Sequence, residues 1–425
     1  MATTAVLSRF GASDRAQLAA DAGRLIERLR KHGAGPNGGV TRLVYSPEWQ
    51  AAMADIEEWL LESGLAVRHD AVGSRFGRLK GESSSVVLSG SHTDSVKQGG
   101  AYDGTLGVVI AGCAIGWLAR NMGKPARTLE VFANCEEESS RFASNFWGSR
   151  ALTGRIAPGE TDRLTDENGV TIGSAMRACG LDPAAIPSAH RKDLGAYVEP
   201  HIEQGPVLVE SRDVIGVVDR VVGVRVIRVT LHGVSGHAGT VPMANRHDPL
   251  AGAAEIVSGA ETIARRMGPP AVATVGCIAA KPGGFNQVPG EATFTVDFRH
   301  TDGDVLDGLE RELRHVIDTV SARRGLQVRL GQVLSQAGIE FDGKICAALE
   351  ASCAESSVRW RRMPSHAGHD AQVIGTVCPA AMLFVPSQGG HSHRPDEHTE
   401  LDDIGSGIEV LVRTLFRLAY QDSCS

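Results

Sequence analysis

"SVVLSG" (residues 85–90) and "LEVFA" (residues 129–133) are two short apolar runs, separated by an apolar, helix-like stretch from about Thr105 to Ala119. Short runs rich in β-branched and aromatic residues are typical of buried strands. A strand, helix, strand order favours parallel pairing, because the helix returns the chain to the same edge of the sheet. This stretch therefore predicts an α/β fold with a mostly parallel core sheet.

The rest of the chain predicts two domains, as expected for 425 residues. Helical spacing at 14–31, and at 47–64 after the capping residue Ser46, extends the α/β pattern. From 214 to about 330 the chain reads strand, helix, strand, strand, helix, strand, which is typical of a small α+β domain with an antiparallel sheet. We predict a discontinuous catalytic domain, 1–214 and 331–425, interrupted by an inserted domain, 215–330.

Composition narrows the class of protein. A formal charge of −7 argues against a nucleic-acid partner. No uninterrupted apolar run approaches the ~20 residues that span a bilayer, and the N-terminus lacks the pattern of a secretory signal. Eight scattered cysteines without a CxxC pair indicate reduced thiols rather than a disulfide framework. These features predict a cytoplasmic enzyme with no membrane partner.

Histidines and acids follow the predicted strands. They lie in "LSGSHTDSVKQGGAYDGTLG" (88–107), "NCEEESSRF" (134–142), "YVEPHIEQGP" (197–206) and "LFVPSQGGHSH" (383–393). A lone loop histidine is usually solvated, and a glutamate triplet is usually a charged surface. In open α/β sheets, however, sites collect at the carboxyl ends of strands. Imidazoles with carboxylates suit Zn, Mn, Co or Ni, so the combination predicts a metal site.

Six motifs together resemble the hydantoinase/carbamoylase group of the M20 di-metal amidohydrolases, over about residues 40–410. They are "GSHTDSV" (90–96), "GGAYDG" (99–104), "EEESSRF" (136–142), "EPHIEQGP" (199–206), "SGHAGTVPM" (235–243) and "GHDA" (368–371). The group includes N-carbamoyl-L-amino-acid hydrolases, allantoate amidohydrolases and β-ureidopropionases. "EPHIEQGP" distinguishes it from the related peptidases, which usually have an acid where His201 stands.

The resemblance implies two divalent metal ions per subunit (Zn, Mn, Co or Ni). Asp103 is implied as the bridge, His92 and His201 as ligands of one metal each, and Glu138 and His393 as the ligands that complete the pair. The general base is implied to be Glu137, whereas Glu136 has no implied role beyond that of a charged neighbour.

The implied substrate contacts are Gln204 and His369 in the catalytic domain and His237, Asn286 and Arg299 in the inserted domain. The family is dimeric, and its inserted domain pairs the subunits and closes over the site. Three positions depart from the family pattern: Ser139 replaces a glycine, Ser74 stands where asparagine is common, and His366 stands where a small residue is typical. None of these departures removes an implied ligand.

The expected reaction is hydrolysis of the carbamoyl group of N-carbamoyl-L-amino acids, a carboxylate-bearing ureido substrate, to amino acid, ammonia and carbon dioxide. Allantoate, ureidoglycolate and 3-ureidopropionate are alternative substrates of the same chemistry. Peptide hydrolysis is disfavoured by "HIEQGP". A metal-binding protein that has lost catalysis is the alternative from another class, and the retained Glu137 disfavours it.

Overall fold

The computed structural model describes residues 10–421, which form two compact units. Unit 1 contains the chain up to Asp219, Phe341–Met363, and the chain from Gly368 onward. Unit 2 contains Arg220–Glu340 and the short return segment Pro364–Ala367. Unit 2 therefore begins and ends later than the segment 215–330 chosen from the sequence pattern.

The helices and strands follow one another in a mixed order. The α-helices are α1 (Ala12–Arg30), α2 (Pro47–Glu62), α3 (Thr105–Met122), α4 (Trp147–Leu152), α5 (Glu160–Arg163), α6 (Ile172–Ala178), α7 (Val207–Ser211), α8 (Pro249–Met267), α9 (Gly303–Arg324), α10 (Gly343–Glu355), α11 (Asp370–Ile374) and α12 (Leu401–Tyr420). The strands are β1 (Ala66–His69), β2 (Arg75–Leu79), β3 (Ser83–His92), β4 (Arg127–Asn134), β5 (Leu194–Ile202), β6 (Ile215–Val221), β7 (Gly223–His232), β8 (Gly236–His237), β9 (Val272–Thr274), β10 (Ile278–Lys281), β11 (Gln287–Val288), β12 (Glu291–His300), β13 (Gln327–Gln336), β14 (Ile339–Glu340), β15 (Trp360–Ser365) and β16 (Ala380–Val385).

The sheet of unit 1 has a parallel centre and antiparallel flanks. Its strands lie in the order β1-β2-β4-β3-β5-β16-β6, and β15 also pairs with β6. Pairing is parallel for β4 with β3, β3 with β5, and β5 with β16, and antiparallel for β1 with β2, β2 with β4, and β16 with β6. The α/β fold class with a mostly parallel core sheet is therefore confirmed. The carboxyl ends of the central strands meet at one edge, with His92 opposite Asn134 and His201 opposite Phe384.

Helix α3 is the buried centre of the helical layer on this sheet. It packs against α1, α12, β3 and β5, and its residues from Thr105 to Leu118 are all buried. Within residues 10–421, α3 is the one helix whose length and apolar composition would allow it to cross a membrane. Most of α3 is enclosed by the rest of unit 1, which is the position of a core helix.

Local chemistry explains the start of α2. The side chain of Ser46 accepts the backbone N–H of Trp49, and Pro47 occupies the first turn, where its missing N–H costs nothing. Trp49, Met53, Ile56 and Leu60 recur at helical spacing and are buried. The helix ends at Glu62, close to the predicted boundary.

Unit 2 is an antiparallel sheet covered by two helices. Its strands lie in the order β10-β12-β7-β13, with β9 also pairing with β12. Every second residue of β12 is buried, including Phe294, Val296 and Phe298, because a strand alternates its side chains between faces. These residues form one core with the buried faces of α8 and α9.

The cysteines of residues 10–421 are all free, as the scattered spacing predicts. Cys424 lies outside the described residues.

Candidate metal centre

Two buried histidines stand at neighbouring strand ends in unit 1. His92 is the last residue of β3, and His201 is the second-last residue of β5. Their ring centroids are 5.7 Å apart. Because the two strands are parallel, their carboxyl ends deliver both imidazoles to the same edge of the sheet.

Asp103 lies between these histidines and a third one. Its Oδ1 is 3.4 Å from Nε2 of His92 and 3.2 Å from Nε2 of His201, whereas its Oδ2 is 3.3 Å from Nε2 of His393. The turn that carries Asp103 requires Gly104, which has a φ of +63° and touches the His92 ring so closely that a Cβ would overlap it. His92 and His201 thus flank the same oxygen of Asp103. This geometry places both histidines at one metal position, whereas the resemblance implied one metal for each.

Glu138 completes a second group on the other side of Asp103. Its Oε1 is 3.2 Å from Nε2 of His393. His393 has a left-handed backbone, with a φ of +58°, a conformation that is costly for an L-residue and is often found at functional sites. His92, Asp103 and His201, and likewise Asp103, Glu138 and His393, offer ligand atoms within 4.8 Å of one another. The structure therefore gathers all five predicted ligands around one shared carboxylate.

The protonation pattern of the imidazoles suits divalent cations. Nδ1 of His201 lies 2.9 Å from the carbonyl oxygen of Ile202, and Nδ1 of His92 lies 3.2 Å from the carbonyl oxygen of Asp94. A carbonyl only accepts hydrogen bonds, so Nδ1 of each ring donates its proton there, and Nε2 is the atom that faces Asp103 and would bind a cation. The N–H of Gly104 also points at Nε2 of His201, at 3.2 Å.

A buried oxygen without a partner gives independent support for a cation. Within residues 10–421, Oδ1 of Asp103 is buried and accepts no hydrogen bond. An unpaired buried carboxylate oxygen is costly unless a positive charge faces it. The neighbouring acids also favour a positive charge here, because hydrogen bonds to Asp103 and Glu138 raise the pKa of His393 to about 10. The residues present therefore fit a pair of divalent metal ions.

The glutamate triplet follows β4 and is organised by Asp94. The strand ends at Asn134, so residues 136–138 lie in the loop beyond it. The Asp94 carboxylate accepts the backbone N–H of Glu137 at 3.0 Å and that of Glu138 at 3.2 Å. It also lies 3.2 Å from Nδ1 of His92. Asp94 was missed in the sequence, although its place two residues after His92 was a usable signal.

The three glutamates occupy different environments. Glu137 is half-buried, and burial, followed by the charge of Glu138, raises its pKa well above the usual value. Glu136 is fully buried, accepts hydrogen bonds from the Ser144 hydroxyl at 2.9 Å and the Trp147 N–H at 3.2 Å, and has its pKa raised by burial to about 8. Glu136 is therefore an anchor of this loop, a role that the sequence did not indicate.

Gln204 and His369 also reach this cluster. The side-chain amide of Gln204 donates to Oδ2 of Asp103 at 2.8 Å, and the hydroxyl of Ser392, which sequence reasoning missed, donates to the same oxygen at 2.7 Å. The His369 ring is buried, with its centroid 4.6 Å from that of His201. Burial lowers the pKa of His369 well below the usual value, so its ring is neutral.

His237, Asn286 and Arg299 belong to unit 2. The exposed His237 and Asn286 meet at the β8–β11 ribbon, where the N–H of Ala238 donates to the carbonyl of Asn286 at 2.9 Å. Nδ1 of His237 accepts the N–H of Gly239 at 3.0 Å, so Nε2 carries the proton and can donate it.

Arg299 stands apart from that ribbon, on β12. Its guanidinium forms a two-pronged contact with the Asp297 carboxylate, at 3.2 and 3.1 Å. A third N–H donates to the carbonyl of His366 at 2.7 Å. The fork is thus already in a geometry suited to a carboxylate.

A family model decides the relationship of the chain to known proteins. The model of peptidase family M20/M25/M40 matches residues 88–417. The chain belongs to this family. It is therefore a hydrolase, as the motifs predict.

Relatives in the M20 family cover almost the whole chain. An allantoate amidohydrolase of Escherichia coli is 40% identical over 92% of this chain and 96% of its own length. An N-carbamoyl-L-amino-acid amidohydrolase of Paenarthrobacter aurescens is 40% identical over 89% of this chain and 92% of its own. A crystal structure of a hydantoinase/carbamoylase family amidase from Burkholderia multivorans has a TM-score of 0.88 at 33% identity, covering 95% of this chain and 98% of the other. The predicted resemblance to this M20 group is confirmed.

The departures from the M20 pattern have simple structural settings. Ser139 has a φ of +55°, the left-handed region that glycine favours, which agrees with the glycine usual there. Ser74 is buried, and its hydroxyl accepts the N–H of Cys135 at the start of the glutamate loop, at 3.3 Å. His366 offers its carbonyl to Arg299, a contact that any residue could make.

Proposed function

We propose that this amidohydrolase of the M20 carbamoylase/allantoate group cleaves the carbamoyl group of N-carbamoyl-L-amino acids. The products are the amino acid, ammonia and carbon dioxide. The observation that supports this most is the gathering of ligand atoms on both oxygens of Asp103: His92 and His201 flank the unpaired Oδ1, and His393, which contacts Glu138, faces Oδ2. This set of residues suits the hydrolysis of an unactivated amide, because it combines cation ligands with a further carboxylate, that of Glu137, which is available for proton transfer.

Two divalent ions would be held by these side chains. His92, Asp103 and His201 form one ligand group, and Asp103, Glu138 and His393 form the other. Divalent ions bound in this way polarise a carbonyl and lower the pKa of water.

Glu137 carries the proton in this proposal. Its backbone N–H donates to the Asp94 carboxylate at 3.0 Å, which fixes its position next to Glu138. The Glu137 carboxylate takes a proton from the attacking water and delivers it to the leaving nitrogen.

Unit 2 supplies substrate contacts in this proposal. The protonated Nε2 of His237 donates to the oxygen on which negative charge develops. Arg299 exchanges Asp297 for the substrate carboxylate, and the side chains of Asn286 and Gln204 assist it. The neutral ring of His369 lines the cluster on the side of His201.

Allantoate is a second candidate substrate. The allantoate amidohydrolase of Escherichia coli and the carbamoylase of Paenarthrobacter aurescens are equally similar to this chain, at 40% identity. Allantoate offers the same two groups, a ureido carbonyl and a carboxylate, so the cluster around Asp103 and the fork of Arg299 would serve both substrates. The difference lies in the groups that surround the rest of the substrate.

The test is ammonia release from a panel of substrates. The panel contains N-carbamoyl-L-amino acids, allantoate, ureidoglycolate and 3-ureidopropionate, each assayed after reconstitution with Mn, Co, Ni or Zn. We expect the highest kcat/KM for an N-carbamoyl-L-amino acid. A higher value for allantoate would replace the first candidate with the second. If none of the four kinds of substrate releases ammonia in a metal-dependent reaction, the chain would be a metal-binding protein without this catalytic activity.

The implied dimer is a separate proposal. Light scattering should give twice the 44.9 kDa mass of one chain. A mass of one chain at working concentration would contradict it.

A further inference from the structure

Glu397 is a buried acid with no part in the reaction described above. It is 5% exposed and lies four residues beyond His393. Its Oε1 accepts two main-chain hydrogen bonds, from the N–H of Tyr102 at 2.8 Å and from the N–H of Asp103 at 2.9 Å. One side-chain oxygen therefore fixes two successive peptide groups at the residue whose carboxylate is shared by the ligand groups.

Glu397 reaches this place because the chain turns back directly after His393. The N–H of Glu397 donates to the carbonyl of Arg394 at 3.2 Å, which closes a tight turn. Ser392, on the other side of His393, donates its hydroxyl to Oδ2 of Asp103 at 2.7 Å. The loop of His393 thus holds Asp103 twice, once by its carboxylate and once by its backbone.

The neighbouring chain leaves room for this contact. Gly100 packs directly on the Glu397 carboxylate, and a Cβ at Gly100 would overlap it. Within residues 10–421, Oε2 of Glu397 is buried and has no hydrogen-bond partner. A buried carboxyl group with one unpaired oxygen destabilises the folded protein. We therefore expect this carboxyl group to have a function that compensates for the loss of stability.

We propose that Glu397 is a positioning residue for the metal pair. By holding the N–H groups of Tyr102 and Asp103, it directs the Asp103 carboxylate so that Oδ1 faces His92 and His201 while Oδ2 faces His393. It also fixes the position of the His393 loop relative to the turn that carries Asp103. This inference rests on the proposed metal centre and adds a residue that acts through Asp103 rather than on the substrate.

The experiment measures the affinity of the metal-stripped protein for Co²⁺ by competition with a chromophoric chelator. Glu397→Ala should weaken binding about 10- to 100-fold, the usual effect of removing a group that orients a metal ligand. Glu397→Gln keeps an oxygen that can accept both N–H groups, so its affinity should stay close to that of the wild type. Gly100→Ala should reproduce the defect, because it displaces the Glu397 side chain without removing it.

Glu400→Ala is the matched control, since Glu400 is an exposed acid three residues further along the same loop. It should bind Co²⁺ like the wild type. At saturating Co²⁺ the Glu397→Ala protein should keep the KM of the wild type, because Glu397 does not touch the substrate. Its kcat should fall, because the Asp103 carboxylate is no longer held in its orientation. Thermal unfolding of the metal-free proteins shows whether each variant folds.

If Glu397→Ala does not fold, Glu397→Asp takes its place, because its shorter side chain cannot reach both N–H groups, and it should bind Co²⁺ more weakly than Glu397→Gln. Wild-type Co²⁺ affinity in the folded Glu397→Ala protein, or in Glu397→Asp, would overturn the inference alone. Failure of the wild type to bind Co²⁺ would instead overturn the proposed metal centre, and this inference with it.

Discussion

Replacement of Glu137 by glutamine separates proton transfer from metal binding. Glutamine has nearly the same shape, and the backbone N–H that Asp94 holds at 3.0 Å is unchanged by the substitution. Asp103 and the four residues grouped around it, His92, His201, Glu138 and His393, are also untouched. The variant should therefore bind as much metal as the wild type.

The size of the effect follows from the role of the group. A positioned general base contributes about 10²- to 10⁴-fold in rate, which corresponds to about 3–5 kcal/mol of activation free energy. Turnover of Glu137→Gln should fall by that factor at saturating substrate, measured as ammonia release with metal content determined on the same sample.

Stability should not fall with activity. Burial and the charge of Glu138 raise the pKa of Glu137 in the folded state. A raised pKa means that the ionised form is disfavoured, and that the stability contributed by this group is lost as pH rises through its folded-state pKa. The neutral glutamine escapes that loss, so the metal-free variant should unfold at no lower temperature than the wild type at neutral pH.

The matched variant is Glu138→Gln, which alters the neighbouring carboxylate and should lose metal as well as activity. Wild-type turnover by fully metal-loaded Glu137→Gln would refute the assignment of the base. Loss of metal from Glu137→Gln would refute it in another way, because Glu137 would then be a ligand.

Other variants test separate parts of the account. Asp103→Asn should lose both metals in elemental analysis, because one amide oxygen cannot serve two groups; a variant that retains two metals per chain would contradict this. His237→Ala should lower kcat by about 10²- to 10³-fold, as for an oxyanion donor, and a change confined to KM would speak against that role. Arg299→Lys should raise KM for carboxylate-bearing substrates by about 10- to 100-fold, from the roughly 1.5–3 kcal/mol of a charged hydrogen bond, and an unchanged KM would exclude the fork. Ser46→Ala should cost about 1 kcal/mol of unfolding free energy in a denaturant titration; an unchanged midpoint would show that the cap at Trp49 is dispensable.

The core fold was accessible from the sequence because its signals are local. The apolar runs that became β3 and β4, and the helix α3 between them, each carry their pattern in consecutive residues. The rule that sites collect at strand ends then located His92 and His201, whose strands run parallel. The antiparallel flank of β1 and β2 was not predicted, since strands of four or five residues give little periodicity.

The residues that hold the site residues in place could not be predicted from the spacing of motifs in the sequence, because they act through contacts between distant loops. Glu397 acts on a backbone about 294 residues away in the chain, and nothing near it in the sequence indicates that contact. Glu136 sits in a triplet typical of a surface, yet the hydrogen bonds from Ser144 and Trp147 hold it inside. Asp94 and Ser392 did have a local signal, because each lies within two residues of a predicted ligand.

We propose that this chain hydrolyses ureido substrates with two metal ions held around Asp103. The most direct measurement is ammonia release from an N-carbamoyl-L-amino acid by chelator-stripped protein as Co²⁺ is added back in known amounts. We expect no ammonia release without metal and a plateau at two equivalents of Co²⁺ per chain. Full activity before any metal is added, or no activity at any loading with all four candidate substrates, would contradict it.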